Sequence, residues 1–77
     1  MNKQRRKELS DLLGQLQDIR ERLENLRDDE QSAYENMPEN LRDSERGEAA
    51  QNMIYNLDDA FTEIDNACDT LEEIVCG

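Results

Sequence analysis

From Glu48 to Val75 an apolar residue stands at nearly every helical return: Ala50, Met53, Ile54, Leu57, Ala60, Phe61, Ile64, Ala67, Cys68, Leu71, Ile74 and Val75. Steps of three and four are the mark of one helical face. The same stretch holds eight carboxylates and no Lys or Arg. A helix with so broad an apolar face needs a cover. One so acidic needs a basic neighbour or a solvated outer side.

Two registers run through this segment. The seam Ala50, Ile54, Leu57, Phe61, Ile64, Cys68, Leu71, Val75 alternates fours and threes, and beside it Met53, Ala60, Ala67 and Ile74 recur at sevens. A two-helix hairpin needs one seam per helix, and this helix has one and a half. The small residues of the flanking row admit a further helix. The expectation is self-association, most simply as a dimeric four-helix bundle with Met53, Ala60, Ala67 and Ile74 at the interface.

The cover is found upstream. Leu9, Leu16 and Leu23 recur every seven residues, as do Leu12, Ile19 and Leu26, offset by three. That is an a/d heptad pattern over nearly three repeats. Leu13 widens the stripe, and Gly14 falls on its far side. Pro38 ends this helix, because the residue before proline is pushed out of the α region. The chain therefore reads as one all-α domain: a helix over about 3–36, a linker 37–44 and a helix over about 45–75. The short linker implies an antiparallel two-helix hairpin, coiled-coil-like in its packing. Asp43 or Ser44 suits the N-cap of the second helix.

Composition pulls the other way. Leu, Ile, Val and Phe make up 15 of 77 residues and the net charge is -11, a combination typical of disorder. Periodicity outweighs it, but a lone hairpin of this size has barely enough core. All nine basic residues lie within 1–46, which also hold twelve acids (net -3), whereas 47–77 net -8. A turn centred near residue 40 would set residue i against residue 81 minus i. It would bring Lys3, Arg5, Arg6 and Lys7 to Asp69, Glu72 and Glu73, Arg22 to Asp59, and Tyr34 to Gly47.

Several functional classes lose support at this point. The chain has no His and no CxxC, so a metal site and a cofactor are not expected. Cys68 lies on the seam, and Cys76, eight residues on, is too far along a helix to bridge it. Adjacent carboxylates such as Asp58 and Asp59 diverge on a helix rather than share a site, which argues against an enzyme. No apolar run is long enough to cross a membrane, and no apolar region follows the basic N-terminus as in a secretory signal. A reduced, cytoplasmic protein is expected. The KQRRK run argues only feebly for direct nucleic-acid contact in so acidic a chain.

Two binding surfaces remain. The string Ser44-Glu45-Arg46-Gly47-Glu48 opens the second helix, where free N–H groups and a glycine would let an anion approach. Arg42 and Arg46 would add contacts to a small nucleotide's phosphate, and Tyr34 a stacking surface. Alternatively, Gly47 is small because the Tyr34 ring packs on it. The second surface is the acidic face with Asp58, Asp59, Glu63 and Asp65, which could dock on a basic partner or merely keep the helix solvated.

The linker run Asn36-Met37-Pro38-Glu39-Asn40-Leu41 followed by Ser44-Glu45-Arg46-Gly47-Glu48, set between a charged Leu-heptad helix and an acidic one, resembles a group of small phage and prophage proteins of Gram-positive hosts. The resemblance implies a bacterial host cell and transfers no catalytic residue. By analogy it implies an inhibitor of a host defence protein, bound through the acidic face. The alternatives are an oligomeric sponge for a nucleotide signal at Tyr34, Arg42, Ser44, Arg46 and Gly47, and a purely structural coiled-coil module.

Overall fold

The computed structural model describes residues 2–77, which are helical almost throughout. Helix α1 spans Lys3–Glu35, the single turn α2 spans Glu39–Arg42, and α3 spans Glu45–Cys76. The Cα trace measures 59 × 14 × 13 Å, a rod two helices wide. Residue pairs Gln17–Glu72, Arg20–Asp65 and Arg27–Asp58 join α1 to α3, so the long helices run antiparallel.

The start of α1 is set by Asn2, whose side chain accepts from the Arg5 amide at 2.8 Å. That cap answers one of the free N–H groups of a first turn otherwise burdened by cations. The helix stops at Glu35, before Pro38. The linker is not an open loop. Pro38 accepts from both Leu41 and Arg42 amides, closing α2 as an extra turn with Leu41 half-buried beneath it.

That extra turn moves the register. The bonded pairs 17 with 72, 20 with 65 and 27 with 58 sum to 89, 85 and 85, so residue i of α1 lies level with about residue 86 minus i, not 81 minus i. At that offset the basic tip Lys3–Lys7 overhangs the end of α3. Among the described residues no ion pair joins it to Asp69, Glu72 or Glu73, and none joins Arg22 to Asp59. The expected charge pairings fail because α2 packs on the first turns of α3, so the end of α1 meets α3 farther along its length than a turn centred near residue 40 would set it.

The seam of α1 also differs from the a/d pattern. Its inward residues are Leu9, Leu13, Leu16, Arg20, Leu23, Arg27, Glu30 and Tyr34, the a and e rows. Leu13 is buried, whereas Leu12, Ile19 and Leu26 are exposed. The reason lies in the e row. Arg20 and Arg27 lay their aliphatic stems along α3 while their guanidinium groups reach carboxylates at its edge. The α3 seam is as the periodicity implies, from Ile54 to Val75, with Cys68 wholly buried at its centre. Both cysteines are free thiols. No helix of the described residues is long and apolar enough to cross a membrane.

Candidate functional site

The two long faces of the rod differ in chemistry. Leu12, Ile19 and Leu26 each precede an inward e residue of α1 by one position. Met53, Ala60, Ala67 and Ile74 likewise each precede an inward residue of α3. One residue back is a rotation of about 100°, and in antiparallel neighbours that step tips both rows toward the same side of the hairpin. Leu12, Ile19, Leu26, Met53 and Ile74 are all at least 40% exposed there. The row expected to meet another chain is therefore uncovered, and α1 contributes a second uncovered row beside it.

The opposite face is polar and internally bonded. Arg20 donates to Asp65 at 2.8 Å, and Arg27 donates to Asp58 at 2.8 Å while its guanidinium carbon lies 5.0 Å from the Phe61 ring centroid. These hydrogen bonds hold both guanidinium groups above the usual arginine range. Gln17 donates to Glu72 at 3.1 Å. Of the four acids expected to form a partner face, Asp58 and Asp65 are thus engaged within the hairpin. Asp59 and Glu63 are exposed, with no ion-pair partner among the described residues.

Near the linker end this face opens into a shallow cleft of about 160 Å³, lined by Gln31, Tyr34, Gln51, Ile54 and Tyr55. Both tyrosines of the chain meet there. Tyr55 is 62% exposed and precedes Asp59 by four residues, so the two share a helical edge. Its place was not evident beforehand, since in the sequence Tyr55 is a lone aromatic off both apolar registers.

The five residues expected at the entry of α3 do not converge. Tyr34 lines the cleft without Arg42, Ser44, Arg46 or Gly47. Gly47 is buried, and a side chain added there would run into the main-chain carbonyl of Arg42. The glycine therefore serves close packing of α2 on α3, not against the Tyr34 ring and not as an open approach for a ligand. Ser44 stands at the N-cap position, but its hydroxyl donates to the Leu41 carbonyl instead of accepting from the first turn. A carbonyl oxygen packed onto the first turn is the wrong charge for an anion. Arg42 and Arg46 are exposed. Among the described residues no group of three His, Cys, Asp or Glu side chains is placed to hold a metal ion.

No protein-family model matches the chain, and neither the comparison with curated proteins nor that with solved structures finds a match.

Proposed function

We propose that the chain is a non-catalytic binding protein that works as a homo-oligomer and docks on a cationic segment of another protein. The observation that carries this reading is the cleft shared by Tyr34 and Tyr55 on the face opposite the exposed apolar rows. Tyrosine offers a large amphipathic contact at small entropic cost, and an arginine or lysine can stack on its ring. Asp59, one turn from Tyr55, and Glu48, near the start of the same helix, add negative charge without an intrachain partner. The net charge of -11 would speed encounter with such a partner.

The resemblance of the linker to phage and prophage proteins suggests the class of target: a host protein in the bacterial cytoplasm, inhibited because its basic surface is occluded. The nucleotide-sponge alternative draws no support from the entry of α3, where Gly47 is closed off by Arg42 and Tyr34 stands apart.

The chain has no tryptophan, so its fluorescence reports directly on the two cleft tyrosines. Titration with a short Arg/Lys-rich helical peptide should give a saturable change. Raising salt from ~0.1 M to ~1 M shortens the screening length from ~10 Å to ~3 Å and should weaken binding by an order of magnitude or more. Tyr55→Ala and Asp59→Asn should each weaken it several-fold. A titration indifferent to salt and to both substitutions would overturn the reading.

A further inference from the structure

We infer that the exposed apolar face is covered by a second copy of this chain, related by a two-fold axis along the rod. Both linkers would then lie at the same end of a four-helix bundle. The inference rests on the oligomeric reading above and adds to it the facing residues and their direction.

In the observed register, with level pairs summing to about 86, Ile19 lies level with Ala67, Leu26 with Ala60, and Ala33 with Met53. The middle of the face is therefore a ridge of large side chains on α1 beside a furrow of small ones on α3. A rotation about the long axis lays each α1 on the partner's α3, so ridge enters furrow at Ile19 and at Leu26. This surface is complementary to itself, which is the requirement for an isologous two-fold interface. An end-over-end arrangement would stack ridge on ridge and furrow on furrow.

A depression on α1 framed by Ile19, Arg22, Leu23 and Leu26 has the shape that coiled-coil packing fills. The set is spaced i, i+3, i+4, i+7, the four-residue hole that receives a knob from a facing helix.

Charge agrees with the same arrangement. Arg22 and Glu63 are exposed on the two outer edges of the apolar face, at nearly the same level. They cannot meet within one hairpin, but the long-axis rotation sets Arg22 beside the partner's Glu63. The end-over-end alternative sets Arg22 against Arg22. The whole rod presents 59 × 14 Å on this side, a projection on the order of 800 Å² per copy for a partner lying along its full length, with the apolar row from Met53 to Ile74 covering roughly 30 Å of it.

Cysteine pairing tests this. In a Cys76→Ser background, Arg22→Cys with Glu63→Cys should oxidise to a covalent dimer whose cross-linked peptides join the two positions. Each single variant should remain uncross-linked. Dimerisation of Arg22→Cys alone would overturn the arrangement in favour of the end-over-end one. Sedimentation of the unmodified protein must show a dimer, and Leu26→Glu should convert it to monomer with helicity monitored by circular dichroism. A monomeric parent protein sinks the inference and the oligomeric reading together, whereas a dimer with the wrong cross-link sinks the inference alone. Peptide binding at the tyrosine cleft, on the opposite face, is scored separately.

Discussion

Leu12 and Leu13 are neighbours in the chain with opposite fates: Leu13 is 8% exposed against α3, and Leu12 is 52% exposed on the apolar face. One residue of helix rotates the side chain by about 100°, enough to move it from the hairpin seam to the surface. The two positions therefore report on different events. Leu13→Ala removes buried methyl groups and leaves a cavity, so it should lower the unfolding free energy by about 2–3 kcal/mol in chemical denaturation. Leu12→Ser should leave a helical hairpin and act on association. The dependence of its melting midpoint on protein concentration should be weaker than that of the parent.

Glycines supply a second pair of contrasts. Gly47 is held against the Arg42 backbone, and nothing lies within 4 Å of where a Gly14 side chain would stand. Gly47→Ala forces α2 away from α3 and should cost about 1–3 kcal/mol, since main chain cannot yield as a flexible side chain does. Gly14→Ala, in the exposed middle of α1, should instead stabilise by about 0.5–1 kcal/mol. Equal effects in denaturant titrations would contradict the packing of α2 on α3.

The same residues show what the sequence made legible. The α3 seam could be read from spacing because Ile54, Leu57, Phe61, Ile64, Cys68, Leu71 and Val75 are apolar and unbroken. In α1 the row through Leu12, with Ile19 and Leu26, is apolar, whereas the row through Leu13 continues as Arg20 and Arg27, so spacing favours the row that the structure leaves exposed. The choice falls to Arg20 and Arg27, whose positions look polar in a heptad count but pack inward through their stems. Register was lost for a different reason. A four-residue turn at Glu39–Arg42 has no periodicity of its own, yet it shifts every pairing along the rod. The tyrosine cleft depends on that shift, since Tyr34 meets Gln51 and Tyr55 only at the longer offset.

Thiol reactivity gives a clean readout of the core. Cys68 has no exposed surface and Cys76 is exposed. A water-soluble thiol reagent should modify one thiol per chain rapidly in the native protein and both in denaturant, because burial blocks access to the reacting sulfur. Cys68→Ser keeps the size but places a hydroxyl at the centre of the seam, at a cost of about 1–3 kcal/mol where no partner is met. Rapid modification of two thiols in the folded state would mean that the hairpin opens readily.

Arg27 combines two interactions that Arg20 does not. Both bond a carboxylate on α3, but only Arg27 also lies over an aromatic ring, that of Phe61. Arg27→Gln should therefore lower the melting midpoint more than Arg20→Gln. The pH dependence follows from the direction of the shifts. The bonds to Asp58 and Asp65 raise the two arginine values, so the stability they bring is complete below the ordinary arginine range. It disappears only as pH rises through the raised values. With no histidine in the chain, melting between pH ~6 and ~7 should stay flat. Salt is the effective lever: near ~1 M the gap between Arg20→Gln and the parent should close as the pair is screened. The Arg27→Gln gap should close only in part, because the guanidinium of Arg27 also lies over the Phe61 ring, a close and partly desolvated contact that salt screens less than an exposed ion pair. Gaps unchanged by salt at both positions would show that packing, not charge, accounts for the arginines' contribution.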